Sequence, residues 1–95
     1  MNSEQFNEKY KQYIPFGWYG LSFDIPEVTE YLDNIMQDLI TIPGFKLFQI
    51  KLKFGMARFY FETSWISAHL EAALVFRIED NINQLVKEKL KIDKL

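Results

Sequence analysis

The chain contains no cysteine and a single histidine, His69. Without cysteine, no disulfide framework and no thiolate metal site can form, and nothing speaks for an oxidising compartment. One histidine, with no Asp-x-Asp loop of calcium-site spacing, leaves no ligand set for a metal. Glycine and proline are scarce, four and three residues, and no glycine-rich run of the kind that cradles phosphate is present. No apolar stretch approaches the roughly 18–20 residues of a membrane span, and the polar N-terminus MNSEQFNEKYKQY is not a signal peptide. The expectation is a soluble cytoplasmic protein without cofactor, metal or membrane association. No internal repeat or low-complexity segment appears.

What is abundant is aromatic and aliphatic area. The chain has 95 residues, 48% of them hydrophobic and 17% aromatic, nine of these Phe. That length supports one domain over 1–95 with a single core, and large rings suit a small core that must be dense. The net charge of −2 conceals an asymmetry. Residues 1–44 carry seven acidic residues against two lysines, and residues 45–95 carry nine Lys/Arg against six acids. Such a dipolar molecule can be steered towards a charged partner, yet it falls short of the strongly basic balance of a dedicated nucleic-acid binder.

Hydrophobic periodicity predicts an α+β fold. Ser3 is placed to cap a short helix through about Tyr13, with Phe6, Tyr10 and Tyr13 on one face. Pro15 and Gly17 end it. The loop YIPFGWYGL follows, where Phe16 and Trp18 are expected to close the core; Tyr19, Leu21 and Phe23 alternate as in a short strand. In DIPEVTEYLDNIMQDLITIPG, the residues Ile25, Val28, Leu32, Ile35, Met36 and Leu39 trace a helical stripe. Asp24 and Glu27 have capping-box spacing, Pro26 fits the first turn, and Pro43–Gly44 stops the helix. The period then changes to two. Phe48, Ile50, Leu52 and Phe54 alternate with Gln49, Lys51 and Lys53, and Ala57, Phe59 and Phe61 alternate with Arg58, Tyr60 and Glu62. With Gly55 between the runs, this is a β-hairpin over 46–53 and 57–63 whose apolar face should pack on the central helix. The tail is a long helix with Leu74, Ile78, Ile82 and Leu85 on its stripe, capped at Ser64 or Ser67, although AALVFRI also reads as a third strand.

Catalysis finds no constellation. His69 reads as a surface or helix-start residue, and Ser64 and Ser67 lack a strained elbow or oxyanion motif around them. Glu27, Glu30, Asp33 and Asp38 fall on the outer face of the central helix, as a solvated surface would. A non-enzyme is expected. Two binding readings remain. Lys46, Lys51, Lys53 and Arg58 interleave with aromatics on the hairpin, a composition that can hold single-stranded nucleic acid. Strict alternation, however, turns the phenylalanines inward and leaves only Tyr60 on the basic face. Protein binding is the favoured reading, because Trp, Tyr and Arg dominate interface hot spots. The candidate partner-binding residues are Trp18, Tyr19, Lys51, Lys53, Arg58 and Tyr60.

Two segments carry a resemblance that covers residues 16–82. FGWYGL followed by an amphipathic helix, then FQIKLKFGMARFY, resembles a group of small phage and prophage proteins. Their pattern is roughly GDGW–F/Y–x–L, a helix, Q-x-K-E-K-F-G-G-L-R-F-Y, and a helix beginning near an A-E pair. The matching positions are Gly17, Trp18, Tyr19 and Leu21, then Gln49, Lys51, Lys53, Phe54, Gly55, Arg58, Phe59 and Tyr60, with Ile78 and Glu79 at the A-E pair. Phe16, Leu52 and Met56–Ala57 depart from the pattern, and the cysteine pair that ends many of the relatives is missing. The resemblance implies a mobile-element protein working inside a bacterium. The expected function is therefore inhibition of a host protein or defence complex by covering its surface, as an anti-CRISPR does. The alternatives are an immunity protein neutralising a toxin and a single-strand nucleic-acid binder using the basic hairpin.

Overall fold

The computed structural model describes residues 1–64 and 66–93. The elements are α1 (Ser3–Lys9), a 3-10 turn (Lys11–Tyr13), β1 (Gly20–Leu21), α2 (Pro26–Leu39), β2 (Lys46–Lys53), β3 (Met56–Glu62) and α3 (Ala68–Asp93). The α+β architecture, the hairpin and the long C-terminal helix are as the periodicity predicts. AALVFRI is helical, and the third strand is the short β1 in the aromatic loop.

The caps differ from expectation. Asn2, not Ser3, is the N-cap of α1: its Oδ1 accepts from the Gln5 backbone N–H at 2.8 Å, and Gln5 Oε1 accepts from the Asn2 N–H at 2.9 Å. Ser3 is freed to donate its backbone N–H and hydroxyl to the Asp24 carboxylate, at 2.6 and 3.1 Å. Asp24 thus anchors α1 instead of capping α2, which starts behind Ile25 with no side-chain cap. Pro26 makes this tolerable, since a first-turn proline has the helical φ built in and no N–H to satisfy. Ser67 caps α3, its Oγ accepting from the Leu70 N–H at 3.2 Å. Ser64 instead pins the α2–β2 loop, donating through backbone and hydroxyl to the Pro43 carbonyl.

The sheet order is β1-β2-β3. β2 and β3 pair antiparallel around a turn at Phe54 and Gly55, while β1 runs parallel to β2 with Gly20 opposite Gln49 and Leu21 opposite Ile50. α2 is therefore a β-α-β crossover, which parallel neighbours require. A β-bulge between Leu47 and Gln49 breaks the alternation of β2. The extra residue lets both Leu47 and Ile50 reach the core, fully buried, and leaves Phe48 outside it. Phe48 therefore leaves the inward face that strict alternation assigns to it, and Phe54 leaves it because it lies in the hairpin turn, past the end of β2. On the inner side the core joins Phe6 and Tyr10 of α1, Val28, Leu32 and Met36 of α2, Phe59 of β3, and Ile78, Ile82 and Val86 of α3. Each such side chain contributes about 1.5–3 kcal/mol on burial. Phe16 and Trp18 do not close this core; Tyr13 and Ile14 pack against it.

Side chains cap part of both edges of the sheet. At β1, Asn7 acts as a surrogate strand, with Oδ1 accepting from the Leu21 N–H at 2.8 Å and Nδ2 donating to the Leu21 carbonyl at 2.9 Å. The fit needs Gly20, at φ +64, where a Cβ would lie 2.3 Å from Asn7 Oδ1. At β3, Asn83 Oδ1 accepts from the Ala57 N–H at 2.7 Å and Glu79 Oε2 from the Phe59 N–H at 2.9 Å. Four helical residues rise about 6 Å and two strand residues about 7 Å, so an i,i+4 pair matches alternate strand amides. An exposed edge invites pairing with another chain, and covering it with a helix removes the invitation.

Candidate functional site

Helices cover one face of the sheet and leave the other open. The open face is built by parity and by the bulge. β3 presents Met56, Arg58, Tyr60 and Glu62, the residues between the buried Ala57, Phe59 and Phe61. β2 presents Lys51 and Lys53, and the bulge adds Phe48. Trp18, just ahead of β1, packs on the Phe48 ring with centroids 4.8 Å apart and is still 49% exposed. The Lys51 ammonium lies 5.7 Å from the centre of the Tyr60 ring, an attractive cation–π placement.

Four of the six candidate residues are thereby brought together: Trp18, Lys51, Arg58 and Tyr60. Lys53, opposite Met56, lies beside the hairpin turn. Tyr19, 66% exposed, lies at the β1 edge, where its backbone N–H donates to the Phe48 carbonyl. Tyr60 is not the only aromatic on the basic face, as strict alternation had it; Phe48 and Trp18 share that face. Phe48 and Phe54 are missing from the sequence-derived set. The spacing of Leu47 and Ile50, apolar residues three apart in a period-two run, is the signal of the bulge that exposes Phe48.

The electrostatics of the face are one-sided. Lys51 is directly opposite Arg58, and like charges in that register repel. Lys46 pairs with Glu62 at 3.7 Å, but Lys51, Lys53 and Arg58 have no acidic partner among the described residues. Glu27, Glu30 and Asp38 are exposed on α2, in the layer behind the sheet.

A second polar cluster joins α1 to α2 and corrects the reading of Asp33 as a solvated surface acid. The Asp33 carboxylate accepts from Lys9 Nζ at 2.8 Å and from the Tyr10 hydroxyl, which also accepts from Gln37 Nε2 at 2.8 Å. The Lys9 and then the Tyr10 hydrogen bonds hold the Asp33 carboxyl below its ordinary value. Burial, followed by the Asp33 hydrogen bond, raises the Tyr10 phenol. The cluster is closed on itself and fastens α1. His69 is exposed at the start of α3. Among the described residues, no group of His, Asp or Glu side chains could hold a metal ion, and no helix is long and apolar enough to cross a membrane.

No family model, curated protein or solved structure matches the chain.

Proposed function

We propose that this protein is a non-enzymatic protein-binding module of a phage or other mobile element. In the cytoplasm of a bacterial host it inhibits a host protein or defence complex, in the manner of an anti-CRISPR, by covering part of its surface. The observation that carries this reading is the tip of the hairpin. Phe54 is 95% exposed and holds φ +55, beside Gly55 at φ +76. A two-residue hairpin turn with both φ positive favours Asn, Asp or Gly at its first position. A bulky side chain there costs on the order of 1 kcal/mol, and this ring recovers nothing by packing within its own fold. The same rim carries Met56, 51% exposed, and the far end of the sheet carries Tyr19 and, in the preceding loop, Phe16, which is fully exposed. Large exposed apolar side chains such as these can anchor an interface by filling pockets on a partner.

The test is capture of host proteins by the tagged protein from a bacterial lysate, beside the Phe54→Asn variant. That variant should melt at a higher temperature, because the turn loses its strain, and should retain its partner at least tenfold less well, as for a hot-spot residue. Equal capture by both proteins, or no specific partner for either, would overturn the reading.

A further inference from the structure

Across the open face the aromatic residues form one row and the cations another. Trp18 packs on Phe48. Tyr60 follows on β3, opposite Gln49 and therefore beside the bulge. Two positions further along the strands Lys51 stands opposite Arg58, and Lys53 lies beyond. The strand rise sets the two rows about 7 Å apart, and the spacing between strands makes the face roughly 10 Å wide.

We propose that this face binds single-stranded nucleic acid, bases stacking on Trp18 and Tyr60 while phosphates lie along Lys51, Arg58 and Lys53. Three observations converge. First, the fold holds Lys51 against Arg58 with no carboxylate among the described residues paired to either, so an anion arriving here removes a repulsion. Second, the rings are already positioned, Trp18 by Phe48 and Tyr60 by the Lys51 ammonium, so little ordering entropy is spent on binding. Third, Asn7 on one side and Glu79 with Asn83 on the other occupy edge groups of Leu21, Phe59 and Ala57, which disfavours strand addition by a peptide there and leaves the open face for a ligand. An acidic peptide would engage the cations and leave the rings unused. A chain alternating flat bases with phosphates uses both rows, and a duplex, its bases stacked within, cannot. This site does not depend on the protein-target proposal, which rests on the hairpin tip.

The purified full chain is titrated with fluorescein-labelled oligo(dT) and oligo(U), and with a duplex and a poly-glutamate peptide as comparators. Both single strands should bind saturably, with the duplex and the peptide about tenfold weaker or worse. With three cations engaged, log affinity should fall against log salt with a slope of about −2. Replacing Trp18 or Tyr60 by Leu should weaken single-strand binding about tenfold and leave peptide binding unchanged. Lys51→Ala with Arg58→Ala should flatten the salt slope. All these side chains are at the surface, and circular dichroism checks that each variant is folded. The proposal fails if folded protein shows no saturable binding to either single strand at low salt. It fails equally if single strands and poly-glutamate bind alike and neither ring matters, which would mark a general polyanion patch.

Discussion

Asp33 illustrates how little of a residue's role its place on a helical wheel reveals. It projects from the polar side of α2, yet it receives both Lys9 and Tyr10 and so ties α1 to the rest of the chain. Its carboxyl titrates below the ordinary value near 3.8 in the folded state. Its contribution to stability is therefore complete above that value and lost as pH falls through the lower, folded one. The Tyr10 phenol is raised above its ordinary 10.0, so its contribution is complete below pH 10 and lost as pH rises through the folded value. Asp33→Asn should lower stability at neutral pH by about 1–2 kcal/mol. It should also reduce the acid-side loss, as urea denaturation at pH 3 to 7 would show. An unchanged acid limb would mean that another carboxylate dominates acid unfolding.

At the scale of elements, the caps from α3 protect the free edge of β3. Removing the acceptor at Glu79 or Asn83 leaves the amide of Phe59 or Ala57 without its partner. Each alanine substitution should cost about 1–2 kcal/mol, and the double variant should expose an edge able to recruit other chains. Hydrogen exchange at these two amides should accelerate, and size exclusion should report oligomers for the double variant alone. Glu79→Gln keeps an acceptor and should behave close to the parent protein. None of this is visible in the sequence, where Glu79 and Asn83 look like polar positions on an amphipathic helix.

The elements themselves were legible where one period persists: the α2 stripe, the hairpin and the alternation of β3 all follow their apolar residues. Legibility failed where a long-range bond outweighed a local one. Ser3 and Asp24 each satisfy a capping pattern, but they bond to each other. The parallel pairing of β1 with β2 joins residues 20 and 21 to 49 and 50, and no local pattern encodes that. For the candidate face, the cations and Tyr60 were readable from alternation. Phe48 was not, because one inserted residue inverts the parity of what precedes it.

At the scale of the whole molecule, the charge asymmetry along the chain becomes an asymmetry between layers, with acids outside α2 and, on the open sheet, cations that have no acidic partner at Lys51, Lys53 and Arg58 among the described residues. α1 is held to these layers by few residues. α1 has seven residues, too short to persist in isolation, and it docks chiefly through Phe6 and Tyr10, whose rings lie 4.9 Å apart. Phe6 is completely buried. Phe6→Ala should cost about 3–5 kcal/mol, a large share of the roughly 5–15 kcal/mol that holds a small domain together. The thermal midpoint should fall by more than about 10 °C. A variant that still melted sharply, with a small shift, would show that α1 is an accessory to the core and not a part of it.

The parallel pairing of β1 also sets an order in time. Leu21 has its strand neighbour in Ile50, and Asn7 can act as a surrogate strand only for a β1 already in place. During synthesis the first 44 residues leave the ribosome with their aromatic loop unpaired, and they wait for β2 before that loop can settle. The hairpin then waits in turn for Glu79 and Asn83 of α3, which follow it in the chain. A nascent chain of this protein therefore carries an open β3 edge until residues 79 and 83 have followed the hairpin out of the ribosome.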